Sequence, residues 1–288
     1  MPRSRGRHPL RIDRYCGHCG RSPGNRRSPV RHASHEKTKH RGPAVTTIEA
    51  DHRDGPAIET IALTKHFGSV VAVDNLSFTV PHGAVTGFVG GNGSGKTTTI
   101  RTLLGLTIPT AGQALVAGRP LADHKNPRSV VGAVLNRTGA HPGVSGRRHL
   151  ALIATATGLP PERCDEVLEL VGLADAADRK VGTYSTGMSQ RLALATALLA
   201  EPEMLVLDEP SNGLDPAGIR WLRELLRARA DAGAAVLVST HQLAELATVV
   251  DHLIVLDAGR LIAAGPAPEV LNAAGAGSIE DLLLIATP

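Results

Sequence analysis

Gly90-Gly91-Asn92-Gly93-Ser94-Gly95-Lys96-Thr97 follows the apolar run Val85-Thr86-Gly87-Phe88-Val89 and opens into Thr98-Thr99-Ile100-Arg101-Thr102-Leu103-Leu104. The order is strand, glycine-rich turn, helix start, and the spacing G-x-x-x-x-G-K-T is that of a phosphate-binding loop. Glycines admit positive φ and let backbone approach a phosphate closely. Successive N–H groups then form an anion-holding concavity, to which the following helix adds the positive end of its dipole. In such a loop Lys96 reaches the β- and γ-phosphates and the Thr97 hydroxyl holds Mg²⁺. The pattern implies a nucleoside triphosphate site.

The chain around this loop has 288 residues and a hydrophobic content of 42%, enough for a sizeable core. No run approaches the roughly 18 consecutive apolar residues of a membrane-spanning helix, so a membrane role requires a partner chain. Charge is uneven. Residues 1–56 carry 13 Lys and Arg against 5 Asp and Glu, whereas 57–288 carry 18 against 22. The basic balance is therefore a property of the N-terminal segment, and no nucleic-acid partner is expected for the remainder. Cys16, Cys19 and Cys164 are too few for a disulfide framework and fit a reducing compartment.

Residues 1–56 are rich in Arg, His, Pro, Gly and Ser, without helical or strand period, and read as a disordered basic tail. Cys16-x₂-Cys19, twelve residues, then His32-x₂-His35 approaches the spacing of a zinc finger. The twelve residues hold two prolines and a single apolar anchor, Val30, from which no small ββα core can be built. Arg26-Arg27 lacks the apolar segment of a secretory signal, and the Pro and Gly spoil a transit-peptide helix.

Folded sequence is expected from residue 57. Ile58–Leu63, Val70–Val73 and Leu76–Val80 read as strands, with Phe67 in a turn beside Gly68, placed to stack on a base or to cover the sheet end. Ile100–Leu106 reads as helix; Ala114–Val116 and Val130–Leu135 read as strands, the latter ending at Asn136. From Arg147 to Leu199 the pattern is helical, broken at Gly158–Pro161 and near Gly182. Within it Tyr184-Ser185-Thr186-Gly187-Met188 precedes a helix read as Ser189–Leu199.

The apolar strand Met204-Leu205-Val206-Leu207 delivers Asp208 at its carboxyl end, where phosphate-loop proteins hold Mg²⁺. Glu209, read as pointing the other way along the pleat, is placed to orient or deprotonate water. Gly213-Leu214-Asp215-Pro216 is a turn and helix start, and Ala234–Thr240 a buried strand. His241 just past it is either a γ-phosphate contact or a capping residue. A hairpin around Ala258-Gly259 and a helix over Ile279–Ala286 complete the pattern.

Taken in order, these motifs make residues 57–288 resemble the nucleotide-binding subunits of ABC transporters, and within them the drug- and peptide-antibiotic exporter branch. That branch is suggested by Tyr-Ser-x-Gly-Met at 184–188 and Ala140-His141-Pro142-Gly143. The resemblance implies an α/β fold: a P-loop NTPase (RecA-like) core, an N-terminal antiparallel β subdomain and an inserted α-helical subdomain. It implies a Mg²⁺-dependent ATP hydrolase that powers export through a separate membrane-spanning subunit, at the cytoplasmic face of the membrane. It also implies a homodimer or ABC heterodimer, packed head to tail, with each ATP between one subunit's loop and the other's signature.

By that resemblance Phe67 is the adenine-stacking aromatic, and Gly90, Gly91, Asn92, Gly93, Ser94, Gly95, Lys96, Thr97 and Thr98 form the Walker A loop. Asp208 and Glu209 are Walker B and the catalytic glutamate, Ser211–Asp215 the D-loop and His241 the switch histidine. Ser185 and Gly187 keep two signature positions, while Thr186 and Met188 replace the usual Gly and Gln. Gly91 replaces the usual Pro. Asn136 stands at the Q-loop glutamine as a third metal contact, one methylene shorter. A soluble ABC ATPase acting on ribosomes or DNA is the alternative; those typically carry two cassettes or a long coiled coil, and this chain has one cassette and no sustained heptads. A small-molecule P-loop kinase would leave the signature unexplained.

Overall fold

The computed structural model describes residues 55–135, 139–240 and 247–286. Strands β1 (Ile58–Phe67), β2 (Val70–Val80) and β4 (Ala111–Val116) form an antiparallel sheet in the order β2-β1-β4. Between β2 and β4 in the chain come β3 (Val85–Gly90) and helix α1 (Lys96–Leu103). A second, six-stranded sheet has the order β5-β6-β7-β3-β8-β9, with β5 at Val131–Val134, β6 at Met204–Asp208, β7 at Ala235–Ser239, β8 at His252–Asp257 and β9 at Arg260–Pro266. Its strands run parallel except β9, which closes on β8 as a hairpin. The short helix α2 (Pro127–Val130) leads into β5. Helices α3 (Gly146–Thr157), α4 (Glu162–Leu170) and α5 (Thr186–Leu198) are inserted between β5 and β6, and α6 (Pro216–Asp231) joins β6 to β7. Helices α7 (Ala267–Ala274) and α8 (Ile279–Ala286) follow β9.

The central strands are buried on both faces, which is why they read as continuous apolar runs rather than alternating ones. Along β6, Leu205 and Leu207 enter the core shared with α3–α6, while Met204 and Val206 enter the core under α1 and the antiparallel sheet. Strand β7 divides likewise, with Val236 and Val238 on the first side and Ala235 and Leu237 on the second. Alternate side chains thus glue helices to both faces of one sheet.

Several expected boundaries move. β2 is one continuous strand across Asp74-Asn75. α1 starts at Lys96 rather than Ile100, because the polar run Lys-Thr-Thr-Thr carries no apolar period although it is helical. The Thr99 and Thr102 hydroxyls donate to the carbonyls of Gly95 and Thr98, and so satisfy themselves along the helix. α5 starts at Thr186, inside the stretch expected to precede it. Its second half buries Leu192, Ala193, Leu194, Ala195, Ala197 and Leu198, so the helix is enclosed all round rather than amphipathic. α7 carries no signal that sequence reading picked up.

Candidate functional site

The phosphate loop is built by what surrounds it. β3 ends at Gly90, and the turn Gly91–Gly95 delivers α1, whose N-cap Gly95 has φ 100°. A Cβ on Gly95 would stand 2.6 Å from the carbonyl oxygen of Ala72 in β2, so close approach of backbone to backbone excludes a side chain there. That contact also sets the β1–β2 hairpin beside the loop. At its tip Phe67 ends β1 rather than lying in the turn, half exposed, with the Lys65 ammonium 4.9 Å from its ring centroid. One ring face is thus engaged by a cation.

Lys96 Nζ donates to the carbonyls of Gly90 (2.7 Å) and Gly91 (3.0 Å) and lies 3.5 Å from Ser94 Oγ. It is folded back across its own loop. Burial pushes its ammonium below the usual lysine range, while the carboxylates of Glu209 and Asp208 pull it the other way. Asn92 and Gly93 form the exposed crest of the turn, and the Thr98 carbonyl is taken up within α1.

Parallel pairing of β6 and β7 sets Asp208 opposite Ser239. Buried Asp208 accepts two hydroxyls: Thr97 Oγ1 at 3.0 Å on Oδ2 and Ser239 Oγ at 2.5 Å on Oδ1. Thr97 and Asp208, 111 positions apart, therefore meet as expected. Their oxygens fit a magnesium ion, which takes one or two protein oxygens and fills its octahedron with phosphate and water. The described residues hold no cluster of three or more His, Cys, Asp or Glu that would suit a more demanding metal.

Glu209 corrects the sequence reading. The strand ends at Asp208, and Glu209 takes the left-handed conformation (φ 55°), so no pleat alternation aims it. A non-glycine residue held there is strained, and such strain collects at functional sites. Its N–H is held by Ser239, at 3.1 Å to the carbonyl and 3.2 Å to Oγ. Ser239 thus fixes Asp208 by its side chain and Glu209 by its backbone. Sequence reading missed it, because a Ser inside a buried strand carries no motif; only the register reveals it.

Ser185 is the N-cap of α5, accepting from Met188 N at 3.2 Å. Gly187, in the first turn, lies against Gly213 and Leu214. Asp215 caps α6 by accepting from Gly218 N at 2.8 Å. Asn136 and His241 lie outside the described residues, as do the cysteines and histidines of the possible zinc spacing.

A groove of about 370 Å³ lies between the catalytic core and the inserted helices, lined by Leu104, Leu106, Pro127, Ile153, Leu159 and Leu199 among others. It is apart from the phosphate loop, and Leu135, the residue before Asn136, is among its lining.

The family model for ABC transporters matches residues 73–212. The bacitracin transport ATP-binding protein BcrA of Bacillus licheniformis is 41% identical over 210 residues, 71% of this chain and 68% of that one. The daunorubicin/doxorubicin resistance ATP-binding protein DrrA of Streptomyces peucetius is 37% identical over 224 residues, 76% and 68% of the two chains. Among solved structures, the ATP-binding subunit of an ABC transporter superposes with a TM-score of 0.73 at 28% identity, over 80% of this chain and all of that one.

Proposed function

This chain belongs to the ATP-binding proteins of ABC transporters, ATP hydrolases that power transport, and from that membership we propose that it drives export of an antibiotic-like compound through a separate membrane-spanning partner. The observation that carries the catalytic part is the meeting of Thr97 with Asp208, with strained Glu209 immediately after. The relatives named for bacitracin transport and for daunorubicin/doxorubicin resistance support the substrate class.

ATP brings the phosphoanhydride; Thr97 and Asp208 would hold the Mg²⁺ that accompanies it, which would supply neutralisation of phosphate charge. Lys96 exchanges its loop carbonyls for β- and γ-phosphate oxygens, a trade of neutral for charged acceptors. The backbone amides of Gly91–Thr98 and the α1 N-terminus hold the remaining phosphate charge. The Glu209 carboxylate orients water and takes its proton as the oxygen–phosphorus bond forms and the β–γ bridge breaks. By the family likeness Phe67 would offer a ring to the base, Asn136 would contact the metal and His241 the γ-phosphate.

Two such chains pack head to tail, so that Ser185 and Gly187 of one close over the nucleotide held by the other. Among the described residues no helix is long and apolar enough to cross a membrane. The groove between core and inserted helices supports docking of an apolar helix of the membrane partner, and with it a working position at the cytoplasmic face of the membrane. The test is ATP turnover of the chain with its membrane partner in lipid. Turnover that rises with partner and substrate supports the reading; a partner-independent rate stimulated by ribosomes or DNA would replace it with the soluble alternative.

A further inference from the structure

Helices α5 and α6 begin against each other. Gly213 has φ 77°, and a Cβ built there would lie 2.4 Å from Cγ2 of Thr186 and 3.0 Å from its Cβ. The Thr186 methyl therefore fills the space that any side chain at position 213 would need. One residue on, a Cβ on Gly187 would stand 3.0 Å from the Gly213 carbonyl oxygen. Further along the same pair of helices, the Arg191 guanidinium stacks 4.3 Å from the ring centroid of Trp221, and its Nη1 donates to the Val171 carbonyl at 2.8 Å. One contact thus seats the start of α5 on the strap ahead of α6, and a second joins the two helices about two turns on.

The stretch joining Asp208 to α6 is short and pinned at both ends. At one end the Glu209 N–H is fixed on Ser239; at the other Asp215 caps α6. Between them Asn212 N donates to the Glu209 carbonyl at 3.3 Å and Leu214 N to the Ser211 carbonyl at 3.0 Å, two successive turns. A strap of seven residues so tied has little slack, and a displacement at Gly213 is carried to Glu209.

We propose that Thr186 and Gly213 are a positioning pair, through which the signature helix of this chain sets the placement of the chain's own Glu209. The proposal rests on the head-to-tail reading above. In that arrangement Ser185 and Gly187 close on the other subunit's nucleotide, so occupancy of that site presses α5 on Gly213 and aligns Glu209 for its own. It also accounts for the departure at position 186. A Gly there would leave the contact empty over a strap residue that has no side chain; Thr supplies the bulk. The methyl, not the hydroxyl, is the working group.

The experiment measures ATP turnover, ATP affinity and melting temperature in the chain with its membrane partner, for Thr186→Gly, Thr186→Val, Gly213→Ala and the double variant Thr186→Gly/Gly213→Ala. Misplacement of a catalytic group by about 1 Å costs ~10²-fold, so a partial loss of alignment is expected to lower kcat roughly tenfold in Thr186→Gly. ATP affinity and melting temperature stay near wild type. Thr186→Val, which keeps the methyl, holds turnover within about threefold. Gly213→Ala alone loses more than tenfold, from the clash and from a side chain held at φ 77°, and the double variant recovers only the share due to the collision, because the colliding methyl is gone. Additive losses in the double variant, or a Thr186→Val rate as low as that of Thr186→Gly, overturn the proposal while leaving the ATPase assignment intact. A wild-type complex without ATP turnover would instead overturn the reading on which it rests.

Discussion

The phosphate loop and the signature segment are both glycine-containing entries to a helix, yet they are built in opposite ways. Residues 90–97 close on themselves: Lys96 bonds to the carbonyls of Gly90 and Gly91, and the helix begins within the motif. Spacing carries the lysine's part of the geometry, because its partners lie within six residues, while Thr97 reaches Asp208 and the Ser94 carbonyl accepts from Gly259 N. Residues 184–188 have one local side-chain cap, in which Met188 N donates to Ser185 Oγ. What they press on, Gly213 and Leu214, comes from another part of the chain. A loop that binds by its own backbone tolerates little change in spelling. A segment that works through a distant contact can change spelling if the contact is refilled, as Thr186 over Gly213 illustrates.

The comparison breaks most sharply at the loop. Lys96→Ala is expected to abolish measurable ATP binding and turnover together, since it removes the buried cation that would exchange its loop carbonyls for phosphate oxygens. Glu209→Gln is expected to keep ATP binding and lower turnover by roughly 10²- to 10³-fold, with an ATP-bound dimer accumulating. Equilibrium nucleotide binding beside steady-state hydrolysis separates the two. A Glu209→Gln protein with wild-type turnover would remove Glu209 from the chemistry.

Ser239→Ala tests a connection that neither motif announces. It takes a hydroxyl from Asp208 Oδ1 and from the Glu209 N–H at once, while leaving the backbone pairing of β6 and β7 in place. A hydrogen bond to a charged group contributes about 1.5–3 kcal/mol, so turnover is expected to fall at least tenfold, with the MgCl₂ concentration for half-maximal rate raised. Unchanged turnover and unchanged magnesium dependence would make Ser239 a packing residue only.

The same contrast explains how much was legible beforehand. The central strands follow from apolar runs, because the catalytic sheet is buried on both faces and its strand ends carry the polar residues, while the inserted helical subdomain and the Thr97–Asp208 pairing follow from the motifs and the family they resemble. The first turn of α1 escapes the sequence pattern, since Lys96–Thr99 has no apolar period and its threonine hydroxyl is satisfied along the helix. Glu209 was aimed by pleat alternation, which fails at a residue with φ 55°. Ser239 and the Thr186–Gly213 contact were invisible for one reason: each depends on which strand or helix lies alongside, and a single sequence does not state its neighbours.

The smallest effect sits where the inserted helices pack, between the two regions compared. His149 on α3 lies 3.2 Å from Thr196 Oγ1 on α5, and burial lowers its pKa from the ordinary 6.5. The imidazole is therefore neutral in the folded protein at pH 7. As pH falls below about 6.5 the unfolded chain takes up this proton before the folded one does, so the unfolded state binds more protons and stability drops. Well above 6.5 both states are neutral, and the contribution is flat. The melting temperature of the wild type is thus expected to decline by a few degrees more between pH 6.5 and 5 than that of His149→Gln, which keeps a hydrogen-bonding side chain without a titrating one. Because α5 carries the signature at its other end, the low-pH loss should appear in turnover only where melting has begun. Parallel pH profiles for the two proteins would show that His149 already accepts its proton in the folded state, and that α3 and α5 are packed more loosely there than the signature end of the same helix.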